Sequence, residues 1–237
     1  MTEPILCPIG MYCPANSETY TPCPVGTYNP VLGGTSLLTH CLPCAPGRYC
    51  ASKGLSAPTG DCNAGYFCES SAETNKPAAL DEISGRWGKC PPGSYCPAAT
   101  AYPYPCPAGT FSDSESLTSA SACTTCTAGH YCETRGLTQV TGQCDEGFYC
   151  PVETTADANG VIKGAINPRN DAYKCTKGNY CPTGSTAEIP CAAGTYANEE
   201  YQEICISCPR GYYCPLGAIT PTICPAGSFC LQNSGNH

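Results

Sequence analysis

Twenty-four cysteines in 237 residues fall into one register, three times over. The first row is Cys7, Cys13, Cys23, Cys41, Cys44, Cys50, Cys62 and Cys68. The second is Cys90, Cys96, Cys106, Cys123, Cys126, Cys132, Cys144 and Cys150, and the third is Cys175, Cys181, Cys191, Cys205, Cys208, Cys214, Cys224 and Cys230. Every row reads C-x5-C-x9-C, a gap of 13 to 17, C-x2-C-x5-C, a gap of 9 to 11, and C-x5-C. First cysteines are 83 and 85 residues apart. Self-similarity at a fixed period marks a repeat architecture, in which each module contacts mainly its neighbours. The expected domains are residues 1–89, 90–174 and 175–237, with the array expected to continue beyond the chain.

Composition agrees with disulfides as the source of stability. Leu, Ile, Val and Phe together number 30, about 13% of the chain, too few for an ordinary packed core. Cys at about 10% lies in the range of disulfide scaffolds. Another 49 residues are Gly or Pro, which disfavours long helices. The expected fold class is therefore small and disulfide-rich: an elongated rod of tandem modules with short β-ribbons, turns and little helix. So many cysteines need an oxidising compartment, which places the chain outside the cell or at its surface. Residues 1–6 lack the features of a secretory signal, so the chain reads as a piece of a longer protein.

Inside each row a smaller turn unit, C-x2-G-x-[YF], occurs four times, twelve in all. Its glycines are Gly10, Gly26, Gly47, Gly65, Gly93, Gly109, Gly129, Gly147, Gly178, Gly194, Gly211 and Gly227. Pro commonly follows the Cys, presetting φ, and Gly permits positive φ, so the pattern reads as a turn. The aromatic then resumes an extended segment and lays its ring on a neighbouring disulfide. In nine copies another Cys follows the aromatic directly; in those starting at Cys23, Cys106 and Cys191 a polar loop intervenes. The longest cysteine-free connectors, Glu69–Lys89 and Pro151–Lys174, each end near an aromatic, Trp87 and Tyr173. Each is expected to pack on the repeat that follows.

The segments Cys23–Cys68, Cys106–Cys150 and Cys191–Cys230, each opening on C-[PA]-x-G-T-[YF] and continuing through C-x2-C, resemble ephrin-receptor-like cysteine-rich repeats. They are also similar to the cysteine-rich domains of tumour-necrosis-factor receptors. In each row the receptor resemblance implies pairing of the third cysteine with the fourth, fifth with seventh and sixth with eighth, leaving Cys7 with Cys13. Internal duplication instead suggests Cys7–Cys23 and Cys13–Cys41. Both patterns contain Cys44–Cys62 and Cys50–Cys68, with Cys126–Cys144, Cys132–Cys150, Cys208–Cys224 and Cys214–Cys230 as their equivalents. The C-x5-C spacings depart from the receptor domains, so no ligand-contact residue is carried over.

Other chemistry is thinly represented. The C-x2-C pairs Cys41/Cys44, Cys123/Cys126 and Cys205/Cys208 have half the form of a zinc ribbon, but no His stands at ligand spacing. His40, His130 and His237 occupy unrelated positions in their repeats. Asp157-Ala-Asn159-Gly160 echoes a calcium loop without its later Glu. The usual catalytic motifs are absent, so no enzyme activity, catalytic residue, metal or cofactor is expected. Net charge is −8 with scattered basic residues, which excludes nucleic acid as an expected partner. No apolar run approaches the ~20 residues that span a bilayer. There is no N-x-[ST] sequon, whereas 42 Ser and Thr residues leave room for O-glycans.

These features point to an extracellular structural protein that assembles into a coat or filament, such as a flagellar hair or matrix fibre. Its expected partners are copies of itself or another surface or fibre protein. The alternative is a receptor or adhesion ectodomain that binds ligand through the loops Asn29–His40 and Ser112–Ala122 and the two connectors.

Overall fold

The computed structural model describes residues 4–77, 86–151 and 174–236. Ten two-stranded antiparallel ribbons and five isolated bridges make up the sheet structure of the described residues, and no ribbon shares a strand with another. Helix among the described residues is limited to α1, Leu37–His40, and a 3-10 turn at Ala120–Ala122. The fold is thus a disulfide-rich chain of small hairpin modules. Contacts divide it into two compact bodies. One comprises Met1–Cys106 with Ser112–Cys123, the other Pro107–Phe111 with Thr124–His237. The division runs through the second eight-cysteine repeat.

Each ribbon forms for the same local reason. The C-x2-G turn reverses the chain, and the two residues after the glycine become a short strand. That strand pairs with the residues just ahead of the next unit's first cysteine. Met11–Tyr12 pairs with Thr21–Pro22, Arg48–Tyr49 with Gly60–Asp61, and Tyr212–Tyr213 with Thr222–Ile223. A proline so close to the next turn is tolerated because these two-residue strands lie at ribbon edges.

All twenty-four cysteines are bonded, and every bond closes within one turn unit or its own loop. In the first row the bonds are Cys7–Cys13, Cys23–Cys41, Cys44–Cys50 and Cys62–Cys68. The second row repeats this as Cys90–Cys96, Cys106–Cys123, Cys126–Cys132 and Cys144–Cys150. The third has Cys175–Cys181, Cys191–Cys205, Cys208–Cys214 and Cys224–Cys230.

This corrects the second half of each row. Cys44 is bonded to Cys50 and not to Cys62, and Cys50 is not bonded to Cys68. The crossed pairs Cys126–Cys144, Cys132–Cys150, Cys208–Cys224 and Cys214–Cys230 are likewise replaced by neighbouring ones. The duplication pattern, Cys7–Cys23 with Cys13–Cys41, is absent too. The cause is the turn itself. It brings cysteines six positions apart to a Cα separation of 5.9 Å in Cys44–Cys50, inside the span a disulfide bridges without distortion. The receptor spacing lacks a C-x5-C turn, so it offers no guide to these four cysteines.

Trp87 also differs from expectation. Its strand, Trp87–Lys89, pairs backwards with Tyr66–Cys68, and its ring packs on the cluster of Cys62, Cys68 and Ala72 in the preceding repeat. Residues just ahead of a first cysteine always belong to the previous unit's ribbon, so an aromatic there faces back. Tyr173 lies outside the described residues.

The local pairing predicts a peptide map. Lys53 lies between Cys50 and Cys62, Arg135 lies between Cys132 and Cys144, and both are exposed. Tryptic cleavage of unreduced protein at Lys53 is expected to release the Cys44–Cys50 staple from the Cys62–Cys68 staple. Peptides still joined across Lys53 after complete cleavage there would show the crossed pairing instead.

Candidate functional site: the repeated step and its edges

Among the described residues no group of three or more His, Cys, Asp or Glu side chains could hold a metal ion, and the feature with recurring geometry is the step itself. All twelve turn glycines have positive φ, between 75° and 91°. Eleven of the twelve units show, among the described residues, a second left-handed position three or four residues beyond the one that follows the aromatic. Among the described residues it is held by Asn16, Gly33, Gly54, Ser71, Ala99, Ser116, Gly136, Gly184, Tyr201, Gly217 and Asn233. Left-handed backbone costs an ordinary residue roughly 1–2 kcal/mol. Holding it at six non-glycine positions therefore requires compensation from the surrounding contacts.

That compensation is a set of four backbone hydrogen bonds from each unit to the next. Between the units of Gly47 and Gly65, the Cys62 N–H donates to Gly47 O and the Gly47 N–H donates to Cys68 O. The N–H of left-handed Ser71 donates to Cys44 O, and the Cys50 N–H donates to Ala72 O. Among the described residues the same four bonds recur in nine of the eleven steps, five in the first body and four in the second, and the steps leading from Gly109 and Gly129 show the two glycine-centred bonds. At about 1 kcal/mol net per bond, the set is comparable to the roughly 2–3 kcal/mol expected of one short-loop disulfide.

Side chains reinforce the step. The aromatic of one unit packs on the disulfide of the next. Tyr49 sits against Cys62 and Cys68, Phe67 against Cys90 and Cys96, Phe111 against Cys126 and Cys132, and Tyr196 against Cys208 and Cys214. In the three delayed units the cysteine partner comes from the loop, and a small or polar residue fills the buried slot after the aromatic. Asn29, Ser112 and Ala197 occupy it. Asn29 is satisfied there, its Nδ2 donating to Met11 O at 2.8 Å while its Oδ1 accepts from the Val31 N–H at 3.0 Å.

A third contact reaches two units along. A Cβ placed on Gly26 would lie 2.6 Å from the Ser71 carbonyl oxygen, on Gly65 2.8 Å from that of Ser116, and on Gly147 2.6 Å from that of Tyr201. Gly10, Gly47, Gly129, Gly178 and Gly194 meet the corresponding left-handed residue of their own second-next unit. Gly211 and Gly227 meet nothing within 4 Å, and both are exposed, whereas the other ten turn glycines are buried. Sequence reasoning identified the turn glycines but missed the second left-handed position. Six of its holders are not glycine, so the composition there carries no common signal.

The remaining candidates are scattered. Cys41 and Cys44 belong to two different disulfides, as do Cys123 and Cys126, and Cys205 and Cys208. His40 ends α1, its Nδ1 2.7 Å from Thr39 Oγ1, and His130 lies in a ribbon with Nδ1 3.3 Å from Ala128 O. His237, the Asp157–Gly160 segment and most of the second connector lie outside the described residues. The two loops differ: Asn29–His40 carries α1 and exposes Val31, Leu32, Leu37 and Leu38, whereas Ser112–Ala122 is mostly polar and buries Leu117.

Large apolar side chains are exposed very unevenly. Among the described residues, nine precede Pro43, ten follow Glu188, and only Tyr102 and Tyr104 lie between. No helix of the described residues is long and apolar enough to cross a membrane. No protein-family model matches the chain, and no curated protein matches it significantly.

Two glycines separate the contact from the backbone strain. Gly147→Ala meets both the left-handed cost and the Tyr201 carbonyl, while Gly211→Ala meets the left-handed cost alone. Gly211→Ala is expected to destabilise by about 1–2 kcal/mol, and Gly147→Ala by clearly more, toward the ~4 kcal/mol of severe substitutions. Equal losses in denaturant unfolding would refute the second-next-unit contact.

Proposed function

We propose that the chain is an extracellular structural protein whose stapled steps assemble into a surface coat or filament. The observation that carries this reading is the recurrence of the step: among the described residues the same four bonds are found in nine of the eleven steps. Its buried apolar residues are nearly all cysteine, leaving little material for the enclosed pocket that catalysis needs. The fully bonded cysteines support an oxidising, extracytoplasmic setting. The exposed large apolar side chains, most of them before Pro43 and after Glu188, supply surface for association.

A second reading, a receptor or adhesion ectodomain, is favoured by one feature. The loop Asn29–His40 presents Leu38 at 92% exposure on a short helix, and neither equivalent loop presents such a helix. A ligand-binding loop would take this form.

Electron microscopy of native, unreduced material containing this chain separates the two. Regular filaments or sheets with an axial repeat commensurate with the three eight-cysteine rows are expected. Isolated molecules tethered singly to membrane would favour the ectodomain.

A further inference from the structure

Of the ten ribbons among the described residues, one sets two phenols side by side. In the other nine, the residue opposite the turn-unit aromatic is a threonine, a glycine, a leucine or an isoleucine. In the ribbon of Ser94–Tyr95 with Tyr104–Pro105 it is a second tyrosine, Tyr104 opposite Tyr95. Directly opposed strand residues bring their Cβ atoms within about 5.5 Å of each other on one side of a ribbon. The two rings follow, their centroids 5.6 Å apart and their planes inclined by 25°.

The surroundings of the two rings differ in a way that suits a reaction between them. Tyr95 packs on the cluster of Cys106, Leu117 and Cys123, which fixes its ring. Tyr104 is 51% exposed, so an oxidant reaches it and its ring is free to turn. Exposure alone does not single the pair out, because Tyr20 and Tyr102 are exposed further, at 60% and 59%. Neither of those rings meets another ring among the described residues, and the Tyr102 hydroxyl donates to Glu69 Oε1 at 3.3 Å.

We infer that Tyr95 and Tyr104 are a site of oxidative cross-linking, at which a carbon–carbon bond forms between their Cε atoms to give dityrosine. The oxidant is a peroxide, acting through a haem peroxidase in two one-electron steps. Each phenol loses one electron to the enzyme and one proton to water, breaking its O–H bond. The two phenoxyl radicals combine at Cε, and the hydrogen on each of those carbons passes to the phenol oxygen, restoring both rings. The peroxide takes up the two electrons and two protons, its O–O bond breaks, and two molecules of water leave. Holding both radicals in one ribbon makes the coupling intramolecular, which favours it over encounters between chains. The Cys90–Cys96 and Cys106–Cys123 disulfides leave the units of Gly93 and Gly109 unconnected. The dityrosine bond ties the strand after Gly93 to the strand leading into Cys106, and reducing agents do not break it. The site is independent of whether the chain builds a coat or serves as an ectodomain.

The test treats the dilute, disulfide-bonded 237-residue chain with hydrogen peroxide and a haem peroxidase, and in parallel with a photochemical one-electron oxidant that needs no docking. Dityrosine fluorescence is expected on chains of unchanged size, with the mass lowered by two hydrogens and a yield per chain independent of protein concentration. After reduction and cleavage behind Ala98, Ala99 or Ala101, the peptides carrying Tyr95 and Tyr104 should remain joined. Tyr95→Phe and Tyr104→Phe are expected to keep the ring contact and the disulfide map, yet each should lower the intramolecular yield at least about tenfold. Tyr20→Phe and Tyr102→Phe should leave that yield unchanged. Coupling under the photochemical oxidant alone would support the pair and overturn the peroxidase as its oxidant. No dityrosine with either oxidant would overturn the site. So would dityrosine found only between chains, or undiminished in Tyr95→Phe or Tyr104→Phe.

Discussion

The chain depends on the glycine of its turn unit. In eight of the twelve units this glycine enters the left-handed region at a point where a later unit approaches closely. A Cβ there would collide with a carbonyl oxygen two units ahead, as at Gly26 and Gly65. Only glycine satisfies both demands. With that position secured, the glycine's own N–H and C=O point at the next unit and set its register. Disulfides hold each turn closed, but they do not connect one turn unit to the next. Cohesion along each body comes from the backbone bonds and from rings lying on neighbouring disulfides.

This division of labour explains the unusual core. A globular domain of this length would bury a continuous apolar interior. Here the buried hydrophobic residues are cysteines with a few companions such as Phe67, Ala72, Leu117 and Ala197. Each small cluster sets one ring, or two at Cys62–Cys68, on one disulfide, so none depends on distant sequence. Loops of different length can then be inserted after the aromatic, provided that Asn29, Ser112 or Ala197 plugs the vacated slot.

The turn unit, the short ribbons and the scarcity of helix were legible because each follows from local residue chemistry. Cys-Pro, a positive-φ glycine and an aromatic act within six residues of each other. The second left-handed position was not legible, because Ser71, Ala99 and Tyr201 share no side-chain property; the approach of a neighbouring unit imposes the conformation. Trp87 could not be placed from sequence for a related reason. Its side chain follows the ribbon, which runs back to Tyr66–Cys68, and not the cysteine to which it is nearest in sequence. The pairing of Cys44 with Cys62, common to the receptor and duplication patterns, fails because the turn itself already brings Cys44 to Cys50.

Amide hydrogen exchange in dilute solution tests most directly whether backbone bonds between units hold the chain together. The step geometry predicts strong protection, by at least about a hundredfold, at Gly47 and Gly178, whose N–H groups donate at 2.7 and 2.9 Å to the next unit. Lys53, exposed and with no backbone partner among the described residues, is expected to exchange at close to the unprotected rate. Exchange at Gly47 and Gly178 as fast as at Lys53 would contradict the account, leaving disulfides alone to hold twelve independent turns.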